Sequence, residues 1–172
     1  MGIGLRGTTA ALLVCGLGCS AESSNGDAPA ADGTFSSGLL KVSTVYVAEP
    51  VTDERAAMYF TISNVGDRGD ELVAVRTAAA GRVEIHQNVE EDGRVMMEAV
   101  SGVRVPSKWT IHFAPGSYHI MLLELQDSLR TGDSIYASLQ FESGDMVSVV
   151  AEVRPYADLE ELLASEDDEG DS

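Results

Sequence analysis

Two of the three histidines and two of the six methionines of this 172-residue chain fall into one frame. His86 is followed after ten residues by Met97, then after twenty-one residues by His119, with Met121 one residue beyond. Imidazole nitrogen and thioether sulfur suit a soft, closed-shell ion, and reduced copper is such an ion. Zinc sites draw instead on Cys, His and carboxylate. Methionine needs no deprotonation to bind a metal, and it cannot be lost to a disulfide. A neutral set of two nitrogens and two sulfurs can hold Cu(I) and still release it to a stronger site.

The elements that must position these four residues read as short strands. Candidate strands run Leu39 to Val47, Ala57 to Ser63, Glu71 to Thr77, Arg82 to Asn88, Arg94 to Val100, Thr110 to Phe113, Tyr118 to Leu125, Ser134 to Phe141 and Met146 to Val153. Gly-, Asp- and Pro-bearing turns separate them, including Glu91-Asp92-Gly93, Ala114-Pro115-Gly116 and Ser143-Gly144-Asp145. Short strands with this punctuation indicate an all-β sandwich or barrel. The last two strands read as a hairpin in which Ile135, Ala137, Leu139 and Phe141 share one parity and Val147, Val149 and Ala151 another, an alternation that puts one face on a core and one toward water.

Strand parity bears directly on the frame. His119 and Met121 are two apart and share a face, leaving Ile120 and Leu122 for the core. Val83 and Ile85 claim the core side of their strand, so Glu84 and His86, at the strand's end, share the other side. A hairpin through Glu90 to Gly93 brings Met97 near His86, with the neighbouring Met96 pointing away. His112, the third histidine, reads as a solvated strand residue. Trp109 reads as a packing or rim residue.

The two ends lie outside this core. Residues 1–18 read as an export signal, with Arg6 ahead of an apolar run from Thr8 to Leu17. That run falls short of the roughly 20 residues a membrane-spanning helix needs. Cys19 follows Gly16-Leu17-Gly18, which is similar to a bacterial lipoprotein cleavage site and makes Cys19 the candidate lipid anchor. An ordinary secretory signal cut near Ala21 is the alternative. Residues 19–38 read as a flexible tether, 39–154 as the folded domain and 155–172 as an acidic, disordered tail. A net charge of −17 argues against nucleic acid and favours cations or a basic protein partner.

The remaining function classes are constrained by what the sequence lacks. A blue-copper electron carrier needs a cysteine thiolate, and the only cysteines, Cys15 and Cys19, lie at the end of the signal. No Ser-His-Asp arrangement with useful context, phosphate loop or His-Glu-x-x-His motif points to an enzyme. A copper buffer or tolerance protein without a dedicated recipient, and a sandwich that only docks another protein, stay open.

The frame and its surroundings resemble the periplasmic copper chaperones of the PCu(A)C type, whose signature is His-x10-Met-x21-His-x-Met. Supporting stretches are Ala57-Met58-Tyr59-Phe60-Thr61-Ile62-Ser63-Asn64, Val83-Glu84-Ile85-His86, Ala114-Pro115-Gly116-Ser117-Tyr118-His119-Ile120-Met121 and Leu129-Arg130-Thr131-Gly132-Asp133. The resemblance covers about Leu39 to Val153. It implies a cupredoxin-like β-sandwich with Greek-key-type connections, and one Cu(I) per chain held by His86, Met97, His119 and Met121. It also implies a carrier that delivers copper outside the cytoplasm, and the chain itself is expected to be a monomer on its tether. The recipient would be a copper-accepting protein such as a cytochrome c oxidase subunit or another copper chaperone. Many members carry a Met- and His-rich C-terminal tail that helps bind Cu(II); the acidic tail here has neither residue, so that second site is not expected. Gln87 stands where the family often has Met.

Overall fold

The computed structural model describes residues 33–91 and 93–158. The signal 1–18, Cys19 and most of the segments 19–38 and 155–172 lie outside the described residues. Eleven strands form among the described residues: β1 (Phe35–Ser37), β2 (Leu40–Ala48), β3 (Arg55–Asn64), β4 (Asp70–Thr77), β5 (Ala80–Glu91), β6 (Arg94–Val100), β7 (Val103–Val105), β8 (Thr110–Phe113), β9 (Tyr118–Leu125), β10 (Ser134–Phe141) and β11 (Met146–Arg154).

Hydrogen bonding orders the strands β6-β5-β9-β8-β3-β2-β11-β10-β4-β7, with β1 on β2 and a direct β9–β3 pairing. β11 runs parallel to β2 and β8 parallel to β9. The other pairs are antiparallel. This mixed sheet folds over one core as an all-β, cupredoxin-like sandwich. Met58, Phe60 and Ile62 of β3, Phe113 of β8, and Ile120 and Leu122 of β9 are fully buried. They join Leu72, Leu139, Val147, Val149 and Val153 in one apolar cluster. Phe60 and Phe113 stack with ring centroids 4.4 Å apart. Burying each such side chain contributes about 1.5–3 kcal/mol.

The β10–β11 hairpin follows the expected alternation: Ile135, Ala137, Leu139 and Phe141 are buried, as are Val147, Val149 and Ala151. Its turn closes with Gly144 N–H donating to the Phe141 carbonyl at 3.0 Å. Gly144 has φ of 93°, a conformation glycine takes without steric cost.

Two strands were not anticipated. β1 lies in the segment read as tether: Phe35 pairs with Val42, Ser37 pairs with Leu40, and Phe35 is buried. A tight turn at Gly38 (φ 57°) makes this possible. The folded unit therefore begins ahead of Leu39. β7 is three residues long, too short for an alternation pattern to show. It is fixed by burial of Val103 and Val105 and by pairing with β4. β5 is also longer than expected, so His86 sits mid-strand rather than at an end. At the C-terminal end, residues 156–158 form a helical turn within the segment read as disordered.

Candidate metal centre

β3, β9, β5 and β6 lie side by side, and their outward side chains form one continuous face. On β9, Ile120 and Leu122 fill the core, and His119 and Met121 point the other way, as parity requires. Register then decides the neighbours. His86 on β5 stands directly opposite His119 on β9, and Glu84 stands opposite Met121. On the far side of β9, Met121 pairs with Ala57 of β3. On the far side of β5, Ala99 of β6 is opposite His86 and Met97 is opposite Asn88.

Met97 is thus a diagonal neighbour of His86 on the same face, a relation that spans about 7–8 Å between Cα atoms. Met96 pairs with Val89 and falls on the opposite face. The structure brings His86, His119 and Met121 together on adjacent strands and places Met97 on the strand beyond.

The imidazoles form the floor of this face. The His86 and His119 ring centroids are 5.7 Å apart with planes at 66°. The Tyr59 ring lies 6.5 Å from His119. Tyr59 belongs to a small outer apolar cluster with Tyr46 and Ala48, which walls the site on the β3 side. Although it faces outward, His119 is only 5% exposed. Burial pushes its pKa below the ordinary histidine value, and His86 beside it acts in the same direction; the hydrogen bond to the Ser117 carbonyl opposes them. The ring is therefore kept neutral, the form that binds metal. Burial raises the Tyr59 phenol to about 12, with Tyr156 adding to the effect, so it stays protonated.

The thioethers form the rim. Met97 is 63% exposed on an end strand whose residues 94–99 are all exposed. Met121 borders an open cleft of about 410 Å³ shared with Pro50, Val51, Tyr59 and Tyr156.

The donor atoms fit a soft cation. His86 Nδ1 is buried and has no hydrogen-bond partner. Its other ring nitrogen, Nε2, lies 2.9 Å from the Glu84 carboxylate. His119 uses Nδ1 toward the Ser117 carbonyl at 3.3 Å. An unpaired buried nitrogen is costly unless something else occupies it. The amide oxygen Oδ1 of Asn88, opposite Met97, is likewise buried without a partner. Among the described residues, no group of three or more His, Cys, Asp and Glu is placed to hold a metal.

Glu84, Asn88 and Tyr59 join the site without having been singled out. Parity placed Glu84 on the face of His86, but only the side-chain geometry shows its carboxylate on the ring. His112 departs from the solvated reading: it is half-buried, and its Nδ1 lies 3.2 Å from Thr61 Oγ1. Trp109 is exposed.

The fold has counterparts among known proteins. A family model described as Putative lipoprotein LpqE-like matches residues 40–153, and the chain belongs to that family. It is 32% identical over 158 residues to "Putative lipoprotein Lxx21020" of Leifsonia xyli subsp. xyli, covering 89% of this chain and 91% of the relative. A Rickettsia prowazekii relative, "Uncharacterized protein RP573", is 30% identical over 105 residues, covering 59% of this chain and 58% of the relative. Among solved structures, the apo PCuAC domain from PmoF1 matches with a TM-score of 0.62 and 28% identity, covering 72% of this chain and 99% of that one. The copper-bound PCuAC domain from PmoF2 matches with a TM-score of 0.62 and 22% identity, covering 72% of this chain and 98% of that one.

Proposed function

We propose that this chain binds one Cu(I) through His86, Met97, His119 and Met121 and carries it outside the cytoplasm to a copper-accepting protein. The observation that carries the reading is the cross-strand His86–His119 pair, with Met121 next along β9 and the buried Nδ1 of His86 without a partner. The solved PCuAC domains of similar fold, one of them copper-bound, support it. Membership in a lipoprotein-like family supports a cell-envelope location with Cys19 as the lipid anchor.

The arrangement suits a carrier. Two imidazoles on rigid strands hold the ion from below, and the thioether of Met97 faces solvent. A recipient whose ligands are harder to displace can replace that thioether first and then take the ion by successive exchange. We read the chain as a non-enzymatic carrier acting as a monomer. A cytochrome c oxidase subunit, whose copper centre must be filled outside the cytoplasm, is the recipient we favour.

Titration with Cu(I) under reducing conditions, against a competing chelator, tests the binding. Uptake of one equivalent is expected, and no tight uptake would overturn the proposal. Mixing the loaded chain with an apo copper domain of cytochrome c oxidase tests delivery. Copper retained by the donor would favour a buffer or tolerance role.

A further inference from the structure

We infer that Glu84 is a positioning residue for copper. Its carboxylate holds the N–H of His86 at Nε2 and so presents Nδ1 of that ring to the metal, whereas the Ser117 carbonyl holds Nδ1–H of His119 and presents Nε2. The two histidines then bind through different nitrogens. This rests on the proposed reading of both as ligands.

A neutral imidazole carries one N–H and one lone pair, and a nitrogen that faces a pure acceptor must carry the hydrogen. Glu84 Oε2 lies 2.9 Å from His86 Nε2. A carboxylate accepts only, so the hydrogen sits on Nε2 and the lone pair on Nδ1. That Nδ1 is the buried atom without a partner. For His119 the backbone carbonyl of Ser117 faces Nδ1 at 3.3 Å, which puts the lone pair on Nε2. The two rings, side by side on paired strands, thus take opposite tautomers.

Glu84 is itself fixed. It stands opposite Met121, inside the ligand frame. Its second oxygen, Oε1, is held by the Arg82 guanidinium, which also reaches Glu124 at 3.7 Å. With one oxygen on Arg82 and the other on His86, the carboxylate is committed to the ring and is not free to swing in as a hard oxygen ligand. An acceptor that orients a ligand histidine typically accounts for about 10–100-fold in metal affinity.

Imidazole ¹⁵N shifts of the full chain, with and without Cu(I), test this together with chelator competition on Glu84→Ala and Glu84→Gln. Cu(I) is diamagnetic, so both rings remain visible. In the wild type the copper-induced shift is expected at Nδ1 of His86 and at Nε2 of His119. Glu84→Ala is expected to weaken copper binding about 10–100-fold with the fold intact. Glu84→Gln, whose amide oxygen still accepts, is expected to recover most of that loss and the His86 tautomer. Copper on Nε2 of His86, or Glu84→Ala binding as tightly as the wild type, overturns the inference. A wild type in which neither ring shifts overturns the copper reading, and this inference with it.

Discussion

His86 and His119 face each other across β5 and β9 with ring centroids 5.7 Å apart, although thirty-two residues separate them in the chain. Strand register pairs the two residues, and the Glu84 and Ser117 hydrogen bonds orient their rings. The two rings are in place before an ion arrives, so little ordering is left to be done on binding. The thioethers differ, because Met97 reaches the site from an exposed end strand.

That difference separates ligand loss from fold loss. Met97→Ala is expected to weaken Cu(I) binding while changing stability by no more than about 0.5 kcal/mol. His119→Ala is expected to abolish tight binding and also to cost about 1–3 kcal/mol, because the ring is buried. Chelator competition and urea unfolding on the same samples check both.

Acid should destabilise the apo chain through His119. Burial holds its folded pKa below the unfolded value of about 6.5. Between the two values the unfolded chain binds more protons, so stability rises with pH across that window. The contribution is complete above about pH 6.5 and is lost as pH falls through the depressed folded value. Urea midpoints should decline below about pH 6.5, and His119→Gln should flatten the slope. Glu84 acts lower on the pH scale. Its carboxyl is held below the usual range, first by the hydrogen bond from His86, so its contribution is present above the ordinary carboxylate pKa and lost as pH falls through its lowered one.

The start of the folded unit can be tested at Phe35. Its ring is buried against the core and its strand pairs with β2. Phe35→Ala should cost about 3 kcal/mol, and a chain beginning at Leu39 should lose at least as much. Thermal or urea unfolding decides between this and a tether that ends at Gly38, for which neither change would matter.

A core substitution supplies the reverse control. Phe60→Ala removes a fully buried ring stacked on Phe113 and should cost about 3–5 kcal/mol. It touches no ligand, so Cu(I) affinity measured where the chain is still folded should match the wild type.

The strands were legible wherever a core demanded apolar residues on one side. Ile120 and Leu122 on either side of Met121 set the face of both candidate ligands, His119 and Met121, and β10 and β11 alternate without a break. β1 was hidden because a three-residue strand among Ser, Gly and Asp has no period to read, and one buried phenylalanine holds it. The candidate frame could be read as a spacing, and the direct opposition of His86 and His119 could not, because it depends on the register of β5 against β9. The burial of His119 was not legible either: parity points it outward, and the Tyr59 ring 6.5 Å from it lies sixty residues earlier in the chain. The partial burial of His112 was hidden for the same reason, its partner Thr61 lying on a strand distant in sequence.

The exposure of Met97 has a chemical consequence beyond exchange. A solvent-facing thioether is open to peroxides and hypochlorous acid, which convert it to the sulfoxide. The sulfoxide is polar and bonds through oxygen, so it no longer offers soft sulfur to the ion. Met58, fully buried in the core, is shielded from the same attack. On the proposed reading, retention of the ion would be coupled to the oxidants around the molecule, through one exposed side chain that methionine sulfoxide reductases can restore.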